Sequence, residues 1–170
     1  MQKIAQFEKV SLPQFAKDWP SERSETAEEI RRIYEEIKLP KRATKGSAGY
    51  DFFAPLSIEL APGAEILIPT GIRAKMAPGY VLMLFPRSGL GFRYRMQLNN
   101  TVGIIDADYY DADNEGHIMC RFTNDTHENK TLCLEKGKGM VQGIFVAFGI
   151  AEDDEADGVR TGGFGSTSKE

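Results

Sequence analysis

Between positions 48 and 148 the chain is cut into short apolar runs separated by proline and glycine turns. Such spacing suits an all-β body that is closed or double-layered. Runs at 57–60, 65–69 and 72–76 are punctuated by Ala-Pro-Gly turns at 61–63 and 77–79. Residues 80–85 form a nearly continuous apolar run, and 143–148 reads as another buried strand. Within 117–123, Ile118, Cys120 and Phe122 alternate with polar neighbours, which predicts a strand with one buried face. No internal repeat is visible.

A different period rules residues 11–39. Leu12, Phe15, Ala16 and Trp19 recur at helical spacing, and so do Ile30, Ile33, Tyr34 and Ile37. Thr26 with Glu29 makes a capping box for the second helix. Leu39-Pro40 closes it, because a residue before proline avoids the α region. An amphipathic stripe of this kind predicts a helical hairpin packed on the body, with a protein partner as the other use of the same surface. The 170 residues suit a single domain spanning 1–170, with 11–39 as a helical insertion.

The net charge of −4 argues against bulk nucleic-acid binding, which needs a basic face. It leaves room for one nucleotide, since a few local cations suffice. No run approaches the roughly 20 apolar residues of a membrane span, and the first residues lack a signal-peptide core. Cys120 and Cys133 are not at metal-ligand spacing and read as free thiols in a reducing compartment, so a cytoplasmic protein is expected. His117 and His127 read as surface or strand residues.

Four stretches carry chemistry. The tail from 152 is first acidic and apolar-poor, then runs Arg160-Thr-Gly-Gly-Phe-Gly-Ser-Thr167. Its glycines expose backbone N–H groups, Arg160 is a forked cation, and Ser166 and Thr167 add hydroxyls suited to phosphate. Phe164 offers a flat face for a nucleobase. The second stretch, 85–91, joins Arg87, Ser88 and flexible glycines after a buried strand, a plausible phosphate cradle. The third, 99–109, places Asn100 and Gly103 in a hairpin able to read a base edge. It then places Asp106 and Asp108 on one side of an extended strand. Paired acids there bind metal or activate water. The fourth sets Asp51 just after a flexible glycine, as a metal-side carboxylate. Taken singly, each stretch has an ordinary reading as a tight turn, a solvated acid pair or a loose chain end.

Their order is more specific. Gly46-Ser-Ala-Gly-Tyr-Asp51, Pro86-Arg-Ser-Gly-Leu90, Asn100-Thr-Val-Gly-Ile-Ile-Asp-Ala-Asp-Tyr109, Gly137-Lys-Gly-Met-Val-Gln142 and the Arg160–Thr167 tail follow one another at sensible intervals. The set resembles the five ordered motifs of the trimeric dUTPase family, over about residues 40–167. The resemblance implies a distorted jelly-roll, or β-clip barrel, forming homotrimers with shared active sites. It implies hydrolysis of dUTP to dUMP and pyrophosphate with Mg²⁺, which limits uracil incorporation into DNA and supplies dUMP for dTMP synthesis. Asp106 would be the general base and Asp51 would hold Mg²⁺ through water. Arg87, Ser88, Gly89 and Gln142 would hold the phosphate chain. Asn100 and Gly103 would recognise uracil, and Tyr109 would pack against deoxyribose and exclude a 2′-hydroxyl. Phe164 would stack on uracil, while Arg160, Gly165, Ser166 and Thr167 would close over the nucleotide as part of a flexible arm, 152–170.

Three departures stand out: a long link after Tyr109, Gly139 where many members carry arginine, and the 11–39 insertion. Two rival readings use the same residues: a dCTP deaminase of the same superfamily, and a nucleotide-gated regulatory protein.

Overall fold

The computed structural model describes residues 2–158 together with Arg160 and Gly162. The expected arm residues Phe164, Gly165, Ser166 and Thr167 lie outside the described residues.

The elements, in chain order, are β1 (Ala5–Lys9), α1 (Leu12–Lys17), α2 (Ala27–Glu35), β2 (Lys41–Arg42), β3 (Tyr50–Phe53), β4 (Ile58–Leu60), β5 (Glu65–Pro69), β6 (Ile72–Met76) and β7 (Tyr80–Pro86). Then come α3 (Ser88–Tyr94), β8 (Met96–Leu98), β9 (Gly103–Ile105), a 3₁₀ turn (Ala107–Asp111), β10 (Met119–Asn124), β11 (Leu132–Leu134) and β12 (Gly139–Ala147). Among the described residues every strand pairing is antiparallel. The largest sheet runs β2-β3-β12-β7-β9, with β5-β10-β8, β1-β6 and β11-β4 as smaller sheets. The architecture is an all-β distorted jelly-roll bearing a short helical insertion.

Strand boundaries follow side-chain alternation closely. In β7, Leu82 and Leu84 point into the core while Val81 and Met83 do not, and β4 reads buried-exposed-buried. The core joins Phe52, Ile68, Leu82, Leu84, Phe122 and Met140. It also takes in Val10, Phe15 and Trp19 from around α1, with Ile30, Ile33, Tyr34 and Ile37 packed against it. The helical hairpin is therefore an integral part of the core. Phe15 is fully buried, and truncating it to alanine would cost about 3–5 kcal/mol.

Local chemistry opens both helices. Ser11 Oγ accepts from the Gln14 N–H at the start of α1, and Pro13 occupies its first turn. At α2 the Thr26–Glu29 capping box is complete. The end of α2 falls at Glu35, ahead of the expected stop at Leu39-Pro40, because Ile37 N–H turns back to Tyr34 O in a tighter 3₁₀-type bond. Tyr34 Oη then donates to Val10 O at 2.7 Å, pinning α2 to the strand end.

Gly71 marks where the insertion meets the barrel. Its φ is +70°, and a Cβ there would stand 2.3 Å from Ile37 Cδ1. Only glycine fits this junction of strand turn and helical segment.

Candidate active site

The site begins at the turn between β8 and β9. β8 pairs with β10, whereas β9 pairs with β7. The expected hairpin around Asn100 and Gly103 is thus a turn bridging two sheets, not a two-stranded ladder. Thr101 sits there with φ 68°, and Val102 N–H returns to Asn100 O at 2.7 Å. A non-glycine residue in that region marks a constrained backbone.

Beyond β9, Asp106 is extended and opens the 3₁₀ turn, so Asp108 lies inside a helical turn. This corrects the expectation that Asp106 and Asp108 share one side of an extended strand. They come together for a different reason: both face one cation. Arg160 Nε donates to Asp108 Oδ1 at 2.9 Å, and Arg160 Nη2 donates to Asp106 Oδ2. Arg160 is therefore placed beside the acids.

A cavity of about 240 Å³ lies between these pieces. Asn100, Gly103, Asp106, Tyr109 and Arg160 line it, over a floor of Leu84, Leu98, Ile118 and Cys120. An apolar floor with a few convergent polar groups suits a flat, partly polar ligand. Burial pushes the Cys120 thiol up to about 12, so it is an inert wall residue. Burial also raises the Tyr109 hydroxyl above its ordinary value, which keeps it a neutral phenol.

A second cavity, of about 400 Å³, is lined by Asp51, Arg87, Ser88 and Gln142, among others. Asp51 and Gln142 are register partners across β3 and β12. Arg87 Nε lies 3.1 Å from Asp51 Oδ1. The loop expected over 85–91 is in fact the end of β7 followed by α3, with Arg87 at the helix N-cap and Gly89 in its first turn. A Cβ on Gly139 would meet Arg87 Nη1 at 2.7 Å and Cδ at 2.8 Å. Gly139 therefore makes room for the guanidinium.

Among the described residues, the two cavities share no lining residue. The first collects the third motif and Arg160; the second collects the first, second and fourth.

The sequence reading missed residues that hold the first cavity. Asn114, in the link after Tyr109, donates from Nδ2 to Tyr109 Oη at 2.7 Å. Glu115 accepts from Ser11 N and Oγ, both at 2.6 Å. His117, expected at the surface or in a strand, is fully buried just ahead of β10. Its Nδ1 lies 2.7 Å from Asp18 Oδ2, at the end of α1. The unusual length of the link was the one available signal; nothing local announced its partners.

A family model described as dUTPase matches residues 35–168. The deoxyuridine 5′-triphosphate nucleotidohydrolase of Lactococcus lactis is 46% identical over 134 residues, covering 77% of this chain and 88% of its own. That of Escherichia coli O45:K1 is 39% identical over 147 residues, covering 82% and 93%. A crystal structure of dUTPase from Streptococcus mutans superposes with a TM-score of 0.63 at 35% identity, over 86% of this chain and 98% of the other. A dUTPase mutant from phage phi11 of S. aureus shares the fold at 18% identity and TM-score 0.62, over 92% of this chain and 98% of its own; its structure describes the coordination of a structural Mg(II) ion. Matched across most of its length, with all five motifs inside or overlapping the matched span, the chain belongs to the dUTPase family.

Proposed function

We propose that this chain hydrolyses dUTP to dUMP and pyrophosphate through attack of water on the α-phosphorus. One observation carries the reading: Asp106 and Tyr109 stand on a single short turn beside the Asn100–Gly103 segment, at the edge of an apolar-floored cavity. Uracil fits against the exposed backbone of that segment. Deoxyribose packs on Tyr109, which leaves no space for a 2′-hydroxyl. Asp106 accepts the proton of the attacking water as general base. Arg87, Ser88, Gly89 and Gln142 hold the phosphates in the second cavity.

In-line attack spreads negative charge over phosphate oxygens. Arg160, which here holds Asp106 and Asp108, is the arm residue that closes over the γ-phosphate. Closure exchanges one anionic partner for another and excludes bulk water. Phe164, Gly165, Ser166 and Thr167 complete the arm, with Phe164 stacked on uracil.

The residues present fit Mg²⁺ that arrives with the nucleotide. Among the described residues no group of three or more His, Cys, Asp or Glu is placed to hold a metal. Asp51 is the acid lining the second cavity. One carboxylate suits Mg²⁺, which keeps several waters and takes substrate phosphates as ligands. Bound there, the ion would neutralise phosphate charge, with Asp51 holding its water shell.

We read the chain as one domain that assembles into a homotrimer with shared sites. Two cavities without a common residue support this, since one nucleotide must meet both sets of motifs. So does the outer face of the large sheet, where Ile104, Met83 and Ile144 lie in register and Ile104 is 52% exposed. Free thiols at Cys120 and Cys133 support a cytoplasmic setting, and no helix of the described residues is long and apolar enough to cross a membrane.

The test is pyrophosphate release from dUTP, dCTP, dTTP and UTP with Mg²⁺. The wild type should turn over dUTP alone, and Asp106→Asn should lower kcat by about 10²–10⁴-fold. Ammonia release from dCTP, or turnover of none of the four, would overturn the reading.

A further inference from the structure

Tyr109 is held by its hydroxyl as well as by its packing. Tyr109 Oη donates to His117 O at 2.8 Å and accepts from Asn114 Nδ2 at 2.7 Å. Both partners are themselves fixed. Asn114 Oδ1 accepts from the Gly116 N–H at 3.2 Å. His117 is gripped at both ring nitrogens. The Gly71 N–H donates to Nε2 at 2.8 Å, so Nε2 is an acceptor and Nδ1 carries the proton. Nδ1 donates that proton to Asp18 Oδ2 at 2.7 Å, and Gln14 Nε2 donates to the same oxygen at 2.8 Å. Asp18 at the end of α1 thus holds the His117 ring, and the carbonyl of that same residue holds the far end of the Tyr109 ring.

We infer that Asp18, His117 and Asn114 are positioning residues for Tyr109, and that the helical insertion thereby sets discrimination between deoxyribose and ribose. The inference rests on the reading of Tyr109 as the sugar-packing residue. A ring that bars one hydroxyl must be held to within about 0.5 Å. Packing alone leaves a phenol free to tilt about its Cβ; two bonds at its oxygen remove that freedom. Buried hydrogen bonds of this kind are expensive to leave half-made, which gives these contacts their stiffness. The link after Tyr109 then has a purpose: it carries Asn114 and His117 back to the ring it follows.

The experiment compares kcat/KM for dUTP and UTP in the full-length protein. Asn114→Asp keeps the oxygen for Gly116 and removes the N–H given to Tyr109. It should narrow the dUTP/UTP ratio by about three- to tenfold, the worth of one such bond. Asp18→Ala should narrow it similarly, whereas Asp18→Asn retains an oxygen for His117 and should restore the wild-type ratio. Adding Asn114→Asp to Tyr109→Phe should change the ratio no further, because the hydroxyl is the shared handle. A wild-type ratio in folded Asn114→Asp and Asp18→Ala proteins would overturn the inference. Tyr109 ring resonances in the protein without nucleotide decide it independently of turnover. A Tyr109 Cζ order parameter that is high in the wild type and falls in Asn114→Asp supports positioning, since Cζ reports tilt of the ring axis; an identical value in both overturns it. A wild type that never hydrolyses dUTP would sink the proposed function and leave the ring measurement to judge this one.

Discussion

Gly139 replaces an expected arginine in the fourth motif, and its neighbour explains the exchange. With no Cβ at 139, the Arg87 side chain crosses that space to reach Asp51. Gly139→Ala should push Arg87 aside without disturbing the fold, because the clash is with a flexible side chain. KM for dUTP should rise about tenfold, the size of one charge-assisted hydrogen bond. Thermal stability should change by no more than about 0.5 kcal/mol. An unchanged KM would show that Arg87 does not need this path. At this scale the sequence pointed to residue types and not to their partners. Arg160 was read as a phosphate cation; its pairing with Asp106 and Asp108 was not foreseen, since 52 and more residues separate them.

Among the elements, the helical insertion was the most legible in outline and the least in attachment. Its apolar stripes predicted a packed hairpin, and Phe15 and Trp19 do enter the core. Besides Tyr34, its polar contacts run through carboxylates. For Asp18, burial alone would raise the carboxyl, yet the bonds from His117 and Gln14 prevail and hold it below its ordinary value. Glu115 is lowered chiefly by Ser11, and Glu25 chiefly by Arg23. A carboxyl depressed in the folded state stabilises above its unfolded pKa, and that contribution is lost as pH falls through the folded value. The window therefore lies below about pH 4, where unfolded Asp and Glu titrate. Trp19, the chain's one tryptophan, donates to Glu25 Oε2 at 3.1 Å and reports on this region. Its emission should shift to the red on acidification before the β-sheet circular dichroism is lost. Coincident loss of both signals would show that insertion and barrel release together. The 85–91 and 107–111 segments were harder to read, because glycine-rich and aspartate-rich sequence suits loop, strand and single helical turn alike.

At the level of the whole molecule, the proposed shared site would join the two separately lined cavities from different copies. In the proposed homotrimer a heterologous, ring-closing contact would bring the Asp106 side of one protomer to the Arg87 side of the next. Asp106→Asn and Arg87→Ala proteins should each be nearly inactive. Refolded together in equal amounts, they should recover about a quarter of wild-type activity, since random assembly leaves that share of sites with both intact halves. No recovery in mixed oligomers would place the whole site within one chain. Met83→Glu, at the centre of the apolar row, should lower the mass seen by light scattering towards that of one chain and abolish turnover with it.

The amino-acid sequence by itself determined the all-β class, most strand positions, the two helices and the motif residues. These follow from alternation, turn chemistry and caps, which act over a few neighbouring residues. Tertiary structure alone decided which motifs share a cavity, that Arg160 faces the paired aspartates, and that Asp18 and Ser11 reach His117 and Glu115 across about a hundred residues. Such contacts depend on how curved sheets close upon one another. No local period records that closure, because the groups that meet are chosen by packing rather than by their place along the chain.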